Sequence, residues 1–197
     1  MKIIFVFDGL QFGGIERVGV EYIKLLNKKN YKISVINLRP NLSVMEKEIP
    51  TNIKVIHIPF PRYLAPQRYS KLIRVSLVGS LLFYIITIPI NMLQKFYKIK
   101  YKKELPETEV AIAFSGHYND LTFVAENFNT SKKIAWLHGN ETSYNEIAPG
   151  YFVLYKKIKN LICLSEKNDD LCKTFNEKQG INKSLIYNPI NLEERKI

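Results

Sequence analysis

Short runs of apolar, largely β-branched residues recur along the chain, and segments with helical spacing separate them. The runs are Ile3 to Phe7, Ile33 to Leu38, Ile53 to Ile58, Val110 to Phe114, Ile134 to Leu137, Leu161 to Leu164 and Ser184 to Tyr187. Most are short and apolar without alternation, as strands buried on both faces of a sheet are. Their strand, helix, strand order predicts an α/β, Rossmann-like doubly wound domain. It would hold a mostly parallel sheet of about seven strands with helices on both faces.

Two helices can be read directly. Between the first two strands, Ile15, Val18, Tyr22 and Leu25/Leu26 form an apolar stripe opposite Glu21, Lys24, Lys28 and Lys29, so this segment is a surface helix packed on the sheet. Ser165 precedes a second segment with Leu171, Cys172 and Phe175 on one side and Gly180 just past its end. Residues 59–108 break the rhythm. They open on PFPRYLAPQRYSKLIR, continue with twenty uncharged residues from Val75 to Gln94, and close on KFYKIKYKKELP. Twenty residues is the length of a membrane span. Ser76, Gly79, Ser80, Thr87, Pro89, Asn91 and Gln94 interrupt the stretch, which points instead to a buried helix or helix pair inserted between the third and fourth strands. A third reading is a helix lying in a membrane interface, with Phe83, Tyr84, Phe96 and Tyr97 near the head groups and Arg68, Lys71, Arg74, Lys95 and Lys98 facing anionic lipid.

Charge makes that last reading attractive. Net charge is +11 over 197 residues, and residues 60–104 hold nine basic residues against the single acid Glu104. Such a patch attracts phosphate on a lipid head group, a nucleotide or a nucleic acid, and can also be a plain solvated face. No nucleic-acid motif accompanies it, and long aliphatic stretches interrupt it, so nucleic acid is not the expected partner. Cys163 and Cys172 match neither a zinc pair nor a CxxC site and read as reduced thiols of a cytosolic protein. The amino terminus is too short in apolar residues for a signal peptide.

Candidate chemistry gathers where strands end. After the first strand come Gly9-Leu10-Gln11-Phe12-Gly13-Gly14 and the start of a helix, where backbone N–H groups favour an anion. The spacing fits neither the dinucleotide fingerprint nor the P-loop, and a tight turn that lets the helix pack is an equal reading. The fourth and fifth runs end in Ser115-Gly116-His117-Tyr118-Asn119-Asp120 and His138-Gly139-Asn140-Glu141, at the edge of an open sheet where ligands bind. His117 and His138 there could act as acid, base or hydrogen-bond partner to a sugar or phosphate, or serve structure alone. His57 reads as structural, and no metal-ligand set or nucleophile elbow is visible.

Three motifs in order carry a resemblance. Gly13-Gly14-Ile15-Glu16-Arg17-Val18 resembles the GG-x-E-R turn of retaining, family 4 glycosyltransferases of the GT-B fold. Leu137-His138-Gly139 resembles that family's strand-end histidine, and Leu164-Ser165-Glu166 through Leu185-Ile186-Tyr187-Asn188-Pro189 resembles its closing block. The resemblance implies that residues 1–190 are the N-terminal, acceptor-side domain of a two-domain enzyme, with 191–197 starting the crossover to a second domain absent from this chain. It implies transfer from a nucleotide-sugar to a glycan or lipid-linked acceptor, with retention, without a cofactor or metal, at the inner face of the plasma membrane. Gly13 and Gly14 would approach the donor diphosphate, and His138 would assist catalysis by hydrogen bonding. His117, Tyr118, Asn119 and Asn140 would stand on the acceptor side. By this reading the 197 residues alone transfer no sugar at an appreciable rate. The rival is a Rossmann-like module that binds a nucleotide, phosphate or membrane surface without chemistry.

Overall fold

A computed structural model describes residues 1–64, 69, 72, 76–101, 105–129, 131–139, 150–164 and 180–189. Seven strands, β1 (Lys2–Phe7), β2 (Lys32–Asn37), β3 (Lys54–His57), β4 (Val110–Ala113), β5 (Lys132–Leu137), β6 (Asn160–Cys163) and β7 (Asn182–Leu185), form one sheet in the order β3-β2-β1-β4-β5-β6-β7. Every pairing is parallel. The expected Rossmann-like α/β fold is thus the observed one. The last strand lies two residues earlier than its apolar run. β7 is an edge strand with mostly exposed residues, so pairing with β6 rather than burial decides its extent.

Two apolar cores flank the sheet. Phe5, Phe7, Val35, Ile112 and Phe114 meet Val20 and Ile23 of α1 (Gly14–Lys28) on one side. On the other, Ile4, Val6, Ile36 and Ala113 meet α2 (Leu77–Tyr101), α3 (Tyr118–Asn127) and α4 (Gly150–Ile158). Ile15, Val18, Tyr22 and Leu26 of the α1 stripe pack half-buried against the first of these cores, but the deepest burial lies further round the helix. Gly19, Val20 and Ile23 are buried, Val18 and Tyr22 only half so, and Leu25 is exposed. Gly19 is the cause: a Cβ there would stand 2.6 Å from Phe7 and 2.9 Å from Phe114, so its absence lets the helix lie close on β1 and β4.

Among the described residues of the insertion, a 3₁₀ turn at Arg62–Leu64 precedes a 25-residue helix, α2, that runs through Pro89. The expectation of a buried helix is corrected by half. Ile90 and Tyr101 lie in the core and Phe83 is buried, while Leu77, Leu81, Tyr84, Ile88, Met92 and Phe96 are exposed. Phe83 and Tyr97 therefore do not share a face with Tyr84 and Phe96: Phe83 points inward and Tyr97 packs on Phe60, ring centroids 5.9 Å apart. Among the described residues no helix is long and apolar enough to cross a membrane. α2 is in any case held to the sheet by one side.

Several sequence readings lie outside the described residues. These are the helix after Ser165, including Cys172, the residues Asn140, Arg68, Lys71 and Arg74, and the chain from Ile190 onward. Lys95 and Lys98 lie within α2, and their side chains are outside the description. Cys163 is buried at the end of β6.

Candidate functional site

The chain winds outward from β1 through β2 to β3, then returns by way of α2 to β4 on the other side of β1. The switch in direction falls between β1 and β4. In an open parallel sheet, the crevice beyond the carboxyl ends of those two strands is the ligand position. Asp8 follows β1, and Ser115, Gly116 and His117 follow β4. The Asp8 main-chain N–H donates to Ser115 Oγ at 2.9 Å, which ties the two strand ends together.

Asp8 is the hub. Its carboxylate is 4 % exposed and meets three side chains: Arg39 Nε at 3.3 Å from Oδ1, Asn119 Nδ2 donating to the same oxygen at 3.3 Å, and His117 Nδ1 at 3.3 Å from Oδ2. Arg39 also donates from Nε to the Asp8 main-chain carbonyl at 2.7 Å, and Arg39 is in turn placed by Asn37, whose Oδ1 accepts from the Arg39 main-chain N–H. A buried carboxylate survives only with such partners.

His117 stands at the N-cap position of α3 without a side-chain capping bond, and its ring is 35 % exposed. Burial lowers its pKa, but the hydrogen bond to Asp8 and the charges of Asp120 and Asp8 outweigh both burial and Arg39, so the net shift is upward. With Nδ1–H turned to Asp8, Nε2 is the atom available to a ligand. Asp120 stands at the third position of α3 and turns back on the amide of Gly116, which donates to Oδ2 at 2.9 Å. Complete burial pushes Asp120 up to about 7, with the Asp8 charge adding and His117 and the Gly116 and His117 amides opposing. Asn119 Oδ1 and Asp120 Oδ1 are buried and find no partner among the described residues.

His138, at the end of β5, is of the opposite kind. Burial pulls it down to about 4, against the hydrogen bond to Phe114 and with a further push from His117. The ring is neutral at neutral pH. Its Nε2 lies 2.7 Å from the Phe114 carbonyl, and only an N–H can make that bond, so Nδ1 carries the lone pair. Gly116 brings the β4 turn against this strand end: its φ is +65°, and a Cβ there would stand 2.5 Å from the Trp136 carbonyl oxygen.

The glycine turn looks different from a packing turn. Gly14 has open space where a Cβ would go, while the close helix approach is made at Gly19. At Gly13 the space is taken by the carboxylate of Glu16, itself 6 % exposed, at the third position of α1. Glu16 thus holds negative charge at the helix start, where an incoming anion would also go. His57, read as structural, pairs with Glu46 at 3.0 Å, and Glu46 also accepts from Asn37 Nδ2 at 2.7 Å. Among the described residues no group of three His, Cys, Asp or Glu side chains could hold a metal ion.

The structure brings His117, Asn119 and His138 to one edge, gives Asp120 of the same strand-end group a place beside them, and adds Asp8 and Arg39, which the sequence did not single out. Tyr118 does not join them at the ligand side. It is buried, with its ring against Tyr151 at 5.2 Å, and burial pushes its hydroxyl up to about 12. Asp8 had one available signal, its place directly after a strand. Arg39 and Asp120 had none beyond proximity to strand ends.

No family model matches the chain, and no curated protein sequence does. Among solved structures, Anabaena Alr3699/HepE in complex with UDP-glucose is similar, with a TM-score of 0.59 and 15% identity over 98% of this chain and 45% of that one. The likeness is one of fold, and the chain spans less than half the length of that protein.

Proposed function

We propose that this chain is the acceptor-binding half of a glycosyltransferase that moves a sugar from a nucleotide-sugar to a glycan or lipid-linked acceptor. The observation that carries the reading is the polar cluster built at the switch point of a sheet whose fold resembles that of a UDP-glucose-bound protein. In the transfer a new bond forms between an acceptor oxygen and the anomeric carbon, and the bond to the nucleoside diphosphate breaks. His117, oriented by Asp8, takes at Nε2 the proton that the acceptor hydroxyl loses as the new bond forms. His138, neutral and with Nε2–H committed to Phe114, accepts a hydrogen bond from a sugar hydroxyl at Nδ1 and gives up no proton at neutral pH. Gly13 and Gly14 let the backbone approach the diphosphate once Glu16 swings aside. Retention, independence of metal, and work at the cytoplasmic face of the plasma membrane on a lipid-linked acceptor belong to the same reading, through the resemblance of the three motifs.

The test is sugar transfer from UDP-glucose and other nucleotide-sugars by the protein expressed from its whole gene, followed as released nucleoside diphosphate. Acceptor-dependent release that falls sharply in His138→Ala supports the proposal. Saturable nucleotide-sugar binding with no turnover on any acceptor would leave a binding module instead.

A further inference from the structure

α2 is apolar on two sides, and only one of them has a partner among the described residues. Ile90 and Tyr101 belong to the core, Ile86 and Tyr97 pack against it, and Phe83 is buried. On the other side Leu77, Leu81, Tyr84, Ile88, Met92 and Phe96 recur at helical spacing and face solvent, from 91% exposed at Leu77 to 61% at Phe96. Ten of the nineteen exposed large apolar side chains among the described residues lie on this one helix. At 1.5 Å per residue the stripe is roughly 28 Å long, far more than scattered exposure would give.

Charge selects the occupant. Basic residues stand on both sides of α2 in the chain, Arg62, Arg68, Lys71 and Arg74 before it and Lys102 and Lys103 after it, with Glu104 the one acid in residues 60–104. Lys100 is exposed near the end of the helix, its ammonium 5.0 Å from the ring of Tyr101. A second copy would bring the same net positive stretch of sequence to the contact, so like charge would oppose it. An anionic bilayer offers hydrocarbon and phosphate in one surface, at the depths an in-plane helix needs. The buried stripe keeps α2 on the sheet, so the helix lies on the membrane and does not enter it as a span.

We infer that α2 is a docking surface for an anionic lipid bilayer, with the Leu77 to Phe96 stripe in the acyl boundary and the net positive charge of this part of the sequence favouring lipid phosphate. α2 carries this role whether or not the sheet edge transfers sugar, and its test needs no nucleotide-sugar.

The test is co-sedimentation of the protein with vesicles of phosphatidylcholine alone and of phosphatidylcholine containing about one third phosphatidylglycerol. Binding is expected only with the anionic vesicles, and is expected to weaken at least about tenfold between about 0.1 and 0.5 M salt. Leu81→Glu/Ile88→Glu, at two exposed positions, should abolish binding with the melting temperature unchanged. Equal binding to neutral vesicles, no binding to either, or wild-type binding by the double variant overturns the inference. A lipid-free dimer that the double variant dissociates, with no vesicle binding, would assign the face to a second copy.

Discussion

Two regions of this molecule break the usual distribution of polar and apolar groups, and they break it in opposite senses. At the β1–β4 switch point the protein buries charge: Asp8 and Asp120 lie under the strand ends with His117 and Arg39 around them. Along α2 it exposes hydrocarbon. Both cost folding free energy in the isolated chain, since buried charge must be compensated and bare apolar surface gains nothing from water. A fold that carries two such costs in separate places presents two surfaces for something outside itself: a polar ligand at the sheet edge and an apolar, anionic surface along the helix.

The largest expected effect would break the first half of that contrast. In the whole protein, His117→Ala should lower transfer about 10²- to 10⁴-fold, the range for losing a positioned acid–base group. Asp8→Asn should lower it too, and should also lower the His117 pKa, because the bond that holds it up is weakened. An NMR titration of the His117 ring separates this from misfolding. If Asp8→Asn leaves both the ring titration and turnover unchanged, Asp8 does not orient His117.

The second prediction sharpens the contrast within α2 itself. Ile88 and Ile90 are two residues apart, 63% and 5% exposed. Ile90→Ala should cost about 2–5 kcal/mol of stability by the usual range for a buried aliphatic, whereas Ile88→Ala should stay within about 0.5 kcal/mol. Chemical denaturation of the two variants measures both. Equal losses would mean that the exposed stripe is packed in solution and has a partner within the protein.

This two-sidedness was not legible in the sequence, and the reason is physical. A helix apolar on one side shows a stripe, but one apolar on both shows only a run, which reads as burial all round. The strands suffered no such ambiguity: Ile3 to Phe7 and Val110 to Phe114 are apolar because both faces are covered, and the parallel sheet of about seven strands followed from the alternation of strand and helix. At the site, His117 and His138 could be placed because they stand in the segments that follow the fourth and fifth strands. The pairings Asp8–Arg39 and Asp8–Asn119 join residues 31 and 111 positions apart, and no local pattern announces a contact of that kind.

Next in size is a pH effect on stability. Asp120 has a folded pKa of about 7 against an ordinary 3.8, so the fold holds its proton more tightly than the unfolded chain does. Stability therefore falls as pH rises from about 4 through 7, by about 4 kcal/mol at the most, since each pKa unit is worth about 1.4 kcal/mol. His117, raised as well, adds in the same direction: its contribution is complete below about 6.5 and is lost as pH rises through the folded value. His138 works the other way, costing stability as pH falls from about 6.5 through 4. Asp120→Asn should therefore raise the melting temperature at pH near 8 and change it little near pH 4. A variant that melts lower at both would show that the carboxylate is needed for its bond to Gly116 rather than tolerated as a charge.

The smallest expected change in stability tests the least settled part of the sheet edge. Gly14 is the first residue of α1, and a Cβ there meets nothing. Gly14→Ala should therefore leave the protein as stable or up to about 1 kcal/mol more so, because alanine is the better helix former. If the glycine serves only the fold, nothing else changes. If it lets the backbone approach a diphosphate, the added methyl stands where that ligand would pass, and nucleotide-sugar affinity drops in a protein that melts no lower than wild type. Glu16→Gln supplies the converse, since removing the charge that already occupies the helix start should tighten binding of the same ligand. Affinity that moves down with the first substitution and up with the second ties the glycine turn to the donor, whereas no movement in either leaves the turn to the fold and confines the ligand to the Asp8–His117 side of the edge.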